Sequence, residues 1–269
     1  MIPININRCK ECFIHYLCNI NQKGMDTTNY THPWTQDQDL TDRLLKLVDD
    51  EDWDLFGIAD VGPLNEKARP GRRPKDLWPT AKAVLMFAVG LADPFTRGWV
   101  QNGKSGKFYS YALLELDRRV WTVKRFLRQE GYLYFGGESY GGALFDTGIR
   151  FADAAADCGM GYIGKSNVLV TEKYGPRINM TYLMTDAPLV TTIKEVPSRC
   201  GRCTACQKVC MSGAILGDYY FHQRQCEAII NVKPNMDYYS DFVKQDCDRC
   251  LRVCPQGKVK WHDGKEVKP

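Results

Sequence analysis

The chain has 269 residues, of which 44% are hydrophobic, as expected for one globular core of normal size plus a small additional domain. Its formal net charge is +4, and 25% of its residues are charged, which is too mild a balance to favour nucleic acid or an anionic membrane. The sequence has no apolar run of transmembrane length and no recognisable signal peptide. Because it carries twelve cysteines without a secretory signal, we expect a reducing, cytoplasmic location.

Residues 1–34 are mostly polar, and we expect them to be a loosely structured leader. Three of the twelve cysteines, Cys9, Cys12 and Cys18, lie in this segment, and Met25 is an alternative translation start. Three thiols without an obvious fourth ligand are weak evidence for a metal site. A third metal site and a poorly packed tail therefore both remain open for this segment.

Residues 35–192 alternate between helical and strand patterns, which predicts an α/β (α+β) core built in layers. The pattern begins with an amphipathic helix and continues with a short strand over residues 55–59. Residues 82–91 form a nearly continuous apolar run, which is typical of a strand covered by helices on both faces. The apolar side of the first helix consists of Leu40, Leu44, Leu45 and Val48.

The second half of this core begins with a long predicted helix that starts near Tyr111 and ends before Gly131, a residue suited to a helix C-terminus. A second helix is predicted over residues 146–158. Strands are predicted over residues 167–171 and 178–185. The apolar side of the long helix is predicted from Tyr111, Leu114, Val120, Trp121, Phe126 and Leu127.

A glycine-rich segment, residues 158–170, follows the second helix. Its three glycines would let backbone amides approach a phosphate, and Lys165 would neutralise the charge. The segment lacks the strand-then-helix context of a dinucleotide fingerprint and does not match a P-loop. A glycine-rich turn with a solvated lysine explains these residues equally well.

Residues 193–269 contain eight cysteines: seven in two runs, C-x2-C-x2-C-x3-C and C-x2-C-x3-C-P, and one between the runs. A C-x2-C-x2-C loop can place three thiolates around a [4Fe–4S] cluster, and in two-cluster ferredoxins the fourth cysteine of each run ligates the other cluster. We therefore predict a first cluster held by Cys200, Cys203, Cys206 and Cys254. The predicted second cluster is held by Cys210, Cys247 and Cys250, with Cys226 as its fourth ligand.

Structural zinc and a disulfide framework fit the cysteine spacing less well than iron–sulfur clusters do. Structural zinc sites prefer paired C-x2-C knuckles to a triple run. Disulfide frameworks are typical of small secreted domains. The pattern therefore indicates an electron-carrying protein, for which we expect an anaerobic environment because exposed clusters react with oxygen.

The motif order over residues 40–255 resembles that of two known groups. The glycine-rich stretch 159–165 resembles the G-L-G-W-I-G-K segment of epoxyqueuosine reductases. The stretches 174–177 (Tyr-Gly-Pro-Arg) and 185–189 (Thr-Asp-Ala-Pro-Leu) resemble a run in reductive dehalogenases. Both groups are cobalamin-dependent iron–sulfur enzymes. The resemblance implies a nitroreductase-like core that binds a base-off corrinoid at the glycine-rich segment, and a ferredoxin-like domain that places one cluster beside the cobalt.

The resemblance also implies roles for individual residues. Asp146 falls where epoxyqueuosine reductases carry an aspartate thought to donate a proton, although it also suits a helix N-cap. Lys165 falls where dehalogenases place a basic active-site residue. Tyr109 and Tyr111 are alternative phenolic donors, but core packing explains them as well. The residues implied for cofactor binding are Gly159, Gly161, Tyr162, Gly164, Lys165, Ser166, Tyr174 and Arg177.

The sequence ends shortly after Cys254, without the helical extension that epoxyqueuosine reductases use towards tRNA, so we do not expect a nucleic-acid substrate. We expect a soluble cobalamin-dependent oxidoreductase that takes electrons from reduced ferredoxin or flavodoxin and acts on an unidentified small substrate. One alternative is an electron-transfer protein without a substrate of its own. Others are a protein that reduces or activates a corrinoid for another enzyme, and a flavin-binding core.

Overall fold

The computed structural model describes residues 32–91, 99–101, 108–136, 149–230, 249–257, 260–262 and 265–267. Asp146, Cys247 and the three cysteines of the predicted leader lie outside these ranges. The helices are α1 (Gln38–Asp50), α2 (Val61–Lys67), α3 (Pro74–Leu77), α4 (Tyr111–Gln129), α5 (Phe151–Asp157), α6 (Ala205–Val209), α7 (Gln223–Ile230) and α8 (Arg249–Arg252). The strands are β1 (Leu55–Asp60), β2 (Ala83–Gly90), β3 (Trp99–Gln101), β4 (Phe108–Ser110), β5 (Tyr134–Gly136), β6 (Tyr162–Ile163), β7 (Leu169–Val170), β8 (Ile178–Thr185), β9 (Ile215–Gly217), β10 (Tyr220–Phe221), β11 (Lys260–His262) and β12 (Lys265–Val267).

A four-stranded sheet in the order β1-β2-β8-β5 forms the centre of the core. Each of its three pairings is antiparallel, and β2 pairs with β8 from Ala83 opposite Thr185 to Gly90 opposite Ile178. Every residue of β2 except Gly90 is buried. The mixed α/β class is confirmed, and the antiparallel pairing makes it the α+β form.

The alternating side chains of β2 enter two separate apolar layers, because successive residues of a strand point to opposite faces. On one face, Leu85 and Phe87 pack with residues of α1 and α4. On the other face, Val84 and Met86 pack with residues of α2 and α5. Helices therefore cover both faces of the central strand, as the continuous apolar run predicts.

In two helices, α1 and α4, the buried face differs from the one predicted from the sequence. Leu40, Leu44 and Val48 of α1 are buried, whereas Leu45 is 38% exposed. In α4, Trp121 is 53% exposed because the residue beside it, Val120, faces the sheet instead. Adjacent helical residues differ by about 100° around the axis, so the sheet cannot bury both members of such a pair equally.

The packed core begins before residue 35, the predicted start of the α/β pattern. The His32 Nδ1 atom lies 2.9 Å from the buried Asp60 carboxylate, and Trp34 packs against the apolar layer that contains Met86. Asp60 also accepts a hydrogen bond from Thr191 at 2.9 Å. Residues 32–34 thus contact the end of β1, and the segment that follows β8 bonds to the same carboxylate.

Helix α5 ends where the glycine-rich segment begins. Its C-cap is Cys158, and Gly159 follows with a φ of +82°, a conformation that residues with a β-carbon rarely adopt. The next two strands, β6 and β7, pair as a small antiparallel hairpin. None of the helices in the described ranges has the length and apolarity needed to cross a membrane.

Candidate functional site

The glycine-rich hairpin packs closely within itself and against the first cysteine run. A β-carbon on Gly161 would collide with the Val170 carbonyl. A β-carbon on Gly164 would lie 2.8 Å from a Val170 methyl group and 3.6 Å from the Cys200 sulfur. These two glycines are therefore required for close packing, whether or not a phosphate also binds here.

Lys165 connects the hairpin to the first cysteine run. Its side chain is 8% exposed, and Nζ donates hydrogen bonds to the carbonyl oxygens of Gly201 (2.7 Å) and Cys203 (3.4 Å). The Lys165 backbone N–H also points at the Cys200 sulfur, 3.5 Å away. The ammonium group thus orients the loop that carries the first three predicted ligands.

Arg177 makes the corresponding connection to the second cysteine run. It is 3% exposed, and Nη1 donates to the Cys254 carbonyl at 3.0 Å while Nη2 donates to the Gln256 carbonyl at 2.6 Å. Burial lowers the pKa of this guanidinium, and the charge of a Cys254 thiolate opposes that shift. A β-carbon on Gly175 would collide with the Gln256 carbonyl, so the two backbones meet here as well.

The predicted ligands of the first cluster converge beside these two cations. Burial raises the pKa of Cys254, and thiolates at Cys200 and Cys203 raise it further. Burial likewise raises the pKa of Cys206, again with contributions from Cys200 and Cys203. Thiols from the two separate cysteine runs are therefore close enough to interact electrostatically.

Cys210, assigned to the second cluster, has a different environment. Burial opposes ionisation, but the Ser212 hydroxyl and the backbone N–H groups of Ser212, Ala214 and Ile215 together lower the pKa of the Cys210 thiol. The sulfur lies 3.5 Å from the Ser212 hydroxyl oxygen.

Helices α6 and α8 contact each other, which brings the first run towards Cys250. Cys226 lies in α7, and its predicted pairing with Cys247 stays a prediction because Cys247 is outside the described residues.

A zinc ion and a cubane cluster need their cysteine sulfurs at different separations. Among the residues that the structure describes, no group of three or more histidine, cysteine, aspartate or glutamate side chains is close enough to hold one ion. Four thiolates on a single zinc would lie about 3.8 Å apart, given tetrahedral bonds of about 2.3 Å. A cubane separates its thiolates further because each binds its own iron.

Tyr162 places a phenol between the two cysteine runs. The residue is 7% exposed, and its hydroxyl makes no hydrogen bond of good geometry in the described part of the chain, although the Arg199 backbone N–H lies near enough to lower its pKa. Burial raises the pKa of Tyr162 to about 12, with further contributions from thiolates at Cys200 and Cys254. The tyrosine also borders a cavity of about 250 Å³. The remaining residues that line this cavity are Val170, Thr171, Glu172, Val196, Arg199, Pro255, Gln256 and Gly257.

The rest of the residues predicted to bind a corrinoid are in contact with the core. Gly159 lies against the Lys194 side chain, and Ser166 is buried. The Tyr174 hydroxyl donates to Asp54, and its ring covers Gly90. The 250 Å³ cavity is smaller than a pocket for a drug-sized ligand and does not accommodate a corrinoid. The corrinoid assignment therefore remains a prediction, as do the catalytic roles of Asp146 and Lys165.

Sequence patterns carry little information about what Arg177 and Tyr162 contact. The motif order predicts both at the cofactor site, yet their described neighbours belong to the cysteine runs. One signal is available for Arg177, since a charged residue immediately before the apolar strand β8 requires a buried partner. Tyr174 bonds to Asp54, which lies 120 positions away in the sequence, and no comparable sequence signal predicts this contact.

No protein-family model matches the chain. Among curated proteins, epoxyqueuosine reductase from Lactococcus garvieae is 27% identical over 226 residues, which cover 77% of this chain and 60% of that protein. Among solved structures, an epoxyqueuosine reductase with an epoxyqueuosine-modified tRNA-Tyr stem loop superposes with a TM-score of 0.61 at 20% identity, covering 83% of this chain and 67% of the other. A reductive dehalogenase whose structure suggests a mechanism for B12-dependent dehalogenation has a TM-score of 0.54 at 14% identity, covering 84% and 39%.

These comparisons confirm the resemblance predicted from the motif order, and the structural likenesses show a shared fold. The chain spans 60% of the length of the Lactococcus garvieae protein. The activity and substrates of the longer relatives are therefore proposals for this chain.

Proposed function

We propose that the chain is a cobalamin-dependent iron–sulfur oxidoreductase that carries electrons through two [4Fe–4S] clusters to a corrinoid for reductive chemistry. The observation that carries the proposal is the approach of Cys254 to Cys200 and Cys203, beside the glycine-rich hairpin of the core. Thiolates shared between two runs are what the crossed ligation of two-cluster ferredoxins requires. Reduced ferredoxin or flavodoxin is the proposed electron donor.

The residues that would hold the first cluster fit that cofactor. The thiols of Cys206 and Cys254 are partly buried, and each is affected by neighbouring thiolates. The Lys165 backbone N–H adds a donor to the Cys200 sulfur. Hydrogen bonds to sulfur and restricted solvent access are two features by which a protein sets the potential of such a cluster.

Support for the corrinoid comes from the resemblance rather than from the described cavity. A bound corrinoid would supply the reductive chemistry, while the protein controls access, orientation and electrostatics.

Asp146 is the proposed proton donor. Asp146→Asn should abolish turnover while leaving the iron content and the cluster spectra unchanged, and unchanged turnover would remove this role.

There are two candidate substrates. The first is an unidentified small molecule, as expected from the sequence. The second is epoxyqueuosine in tRNA, which is favoured by the names of the curated relatives and by the structural neighbour that carries a modified tRNA stem loop. This second candidate opposes the expectation that nucleic acid is not a partner, so an epoxyqueuosine-modified stem loop should be assayed first.

The test is an anaerobic titration of the cluster-reconstituted protein with hydroxocobalamin, followed by visible and electron paramagnetic resonance (EPR) spectroscopy. The proposal predicts a stoichiometric base-off cobalt signal together with both clusters. Clusters without corrinoid binding would instead favour an electron-transfer protein. A protein that reduces corrinoids for another enzyme would bind hydroxocobalamin and release the reduced form without any further substrate.

A further inference from the structure

Helices α1 and α4 lie side by side on the same face of the central sheet, and their apolar sides are buried against it. The Arg43 side chain of α1 contacts both the Phe126 ring of α4 and the carboxylate of Glu130, just beyond the end of α4. The Thr122 hydroxyl of α4 donates to Glu51, the C-cap of α1, at 3.1 Å. The two helices are therefore antiparallel, and their outer sides form one surface, the α1–α4 face.

The solvent-facing side of α4 is basic and contains an exposed tryptophan. Positions 114, 118, 121, 125 and 128 recur at the spacing of one helical face, and all five side chains are exposed. Trp121 is 53% exposed, with Arg118 and Arg125 on either side of it along this stripe. Arg118 is paired with carboxylates, but Arg125 and Arg128 have no such partner among the residues that the structure describes. Two unpaired cations and an exposed indole therefore share one stripe.

The solvent-facing side of α1 has the opposite charge. The helix contains four aspartates and two basic residues, and one of these bases is paired with Asp39. The other base, Lys46, leaves the helix with a net negative charge. Asp42, Leu45 and Asp49 are exposed and spaced to form one stripe along the helix. Within the described ranges, Asp49 has no cationic partner.

The helix macrodipole explains the basic stripe but not the acidic one. Arg125 and Arg128, near the end of α4, suit the negative end of its dipole. Asp49 and Asp50 lie in the last turn of α1, where the dipole disfavours carboxylates and where the helix has no basic residue. Cations from another molecule would stabilise these two carboxylates. Tryptophan and arginine are also enriched where protein surfaces bind each other.

We propose that the α1–α4 face is the interface of a homodimer. A two-fold axis parallel to the helices places α4 of one copy over α1 of the second copy, and symmetry repeats the contact in reverse. Positions along the axis are preserved, so Arg128 of one copy lies opposite Asp42 of the other, and Trp121 lies opposite Asp49. Each basic stripe then meets an acidic stripe. Because both stripes of each chain are used, assembly closes at two copies.

The size of the face sets the expected affinity. The 19 residues of α4 span about 28 Å, the 13 residues of α1 span about 20 Å, and two adjacent helices are about 20 Å wide. The face therefore covers about 500 Å² on each copy, at the low end for specific interfaces. We expect a dissociation constant in the micromolar range that rises with salt, because the stripes are charged and exposed.

The interface does not involve the candidate functional site. Helix α5 and the β6–β7 hairpin pack on the opposite side of the sheet from α1 and α4. The hairpin is the part of the core that contacts the first cysteine run. The inference therefore goes beyond the proposed function and does not depend on it.

Sedimentation velocity of the anaerobically reconstituted full-length chain, over a concentration series, tests the interface. The chain has a mass of 30.7 kDa, so we expect this mass to double with rising concentration and the dimer to dissociate in high salt. Trp121→Ala should weaken association at least about tenfold, because tryptophan is a frequent centre of binding energy. Leu216→Ala is the matched control, since Leu216 is equally exposed but lies outside the α1–α4 face.

Two charge-reversal variants test the pairing of the stripes. Arg125→Glu/Arg128→Glu makes both stripes acidic, and Asp42→Lys/Asp49→Lys makes both basic, so each variant alone should be monomeric. Mixing them should restore a one-to-one dimer, because an acidic stripe then faces a basic stripe in both symmetry-related contacts. Circular dichroism of each variant checks that its helices are folded.

A wild-type chain that stays at 30.7 kDa far above micromolar concentrations would overturn the proposal. Dimers that persist in both charge-reversal variants, or variants that stay monomeric when mixed, would also overturn it. If a charge-reversal variant does not fold, the wild-type concentration series and Trp121→Ala still decide the question. Failure to assemble clusters would reject the proposed function but not the dimer, so the two ideas can fail separately.

Discussion

Different interactions stabilise the central sheet and the cysteine segment, which comprises residues 199–257. Strand β2 is buried almost throughout and contributes Leu85, Met86 and Phe87 to the apolar layers. In the described residues of the cysteine segment, only Ala214 and Ile215 are buried. The sheet is stabilised by apolar burial, whereas the segment relies on its contacts to Lys165 and Arg177 and on the ligands it would give to metal.

This difference has a direct thermodynamic consequence. A segment with so little apolar burial gains much of its folding free energy when its thiolates bind metal. The core should not need that contribution, because every described residue of its two apolar layers lies outside the cysteine segment. The core should therefore keep its fold under conditions that unfold the cysteine segment.

The largest expected effect comes from removing iron. Anaerobic treatment of the reconstituted protein with a strong iron chelator should abolish hydrogen-exchange protection in the described parts of the cysteine segment, residues 199–230 and 249–257. Amides of β2 and β8 should remain protected, because their ladder is buried in the core. Hydrogen exchange measured by mass spectrometry distinguishes the two regions, and equal loss of protection in both would show that they fold as one unit.

The second effect concerns the apolar core. Phe87 is fully buried and contacts Trp53 and Phe56, so Phe87→Ala should lower the free energy of unfolding by about 3–5 kcal/mol. Leu216→Ala is the matched control in the cysteine segment, because Leu216 is exposed and should change stability by less than about 0.5 kcal/mol. Denaturant unfolding measures both values. Similar values for the two variants would contradict the contrast between the regions.

A smaller effect is expected at the boundary between the regions. Tyr162→Phe removes a buried hydroxyl whose approach to the Arg199 backbone N–H falls short of a well-formed hydrogen bond, so it should stabilise the cluster-free protein by about 1 kcal/mol. In the reconstituted protein the gain should shrink, because the hydroxyl lies near Cys200 and Cys254 and can donate to cluster sulfur. Unfolding of both forms gives the comparison, and an equal gain in both would show that Tyr162 does not face the cluster.

The smallest effect concerns an ion pair on the surface of α4. Hydrogen bonds from Arg118 and Arg119 lower the pKa of Glu115 to about 2, although partial burial opposes the shift. Because the folded pKa is below the unfolded value of about 4.3, the pair stabilises the fold above that pH and loses its contribution as the pH falls towards 2.

Glu115→Gln should cost less than about 1 kcal/mol at neutral pH, since the pair is partly exposed. Stability measured from pH 6 to pH 2 in both proteins provides the check. The difference between them should diminish on acidification. A difference that stays constant with pH would show that the carboxylate charge does not contribute.

The parts of the fold that follow from local pattern can be predicted from the sequence. The apolar run of β2 and the glycine after α4 are local signals, and both elements lie where these signals predict them. The first ligand set stays a prediction from the spacing of its cysteines, and it agrees with a structure in which Cys254 interacts electrostatically with Cys200 and Cys203.

The contacts of Lys165 and Arg177 cannot be predicted in the same way. The glycine-rich pattern predicts that Lys165 holds a phosphate or substrate, yet its ammonium group bonds two carbonyls of the first cysteine run. Arg177 reaches carbonyls 77 and 79 positions further along the chain. Which surface a buried cation meets depends on how the two regions dock, and sequence periodicity carries no information about docking.

The central claim is that thiolates from both cysteine runs share one cluster, and iron analysis combined with EPR tests it most directly. Iron and sulfide should be measured on the anaerobically reconstituted wild-type protein, on Cys254→Ser and on the buried non-ligand control Cys158→Ser, together with their EPR spectra. Crossed ligation predicts about eight irons per wild-type chain, an altered signal from one cluster in Cys254→Ser and unchanged signals in Cys158→Ser. Stoichiometric zinc without iron, or two unchanged signals in Cys254→Ser, would contradict it.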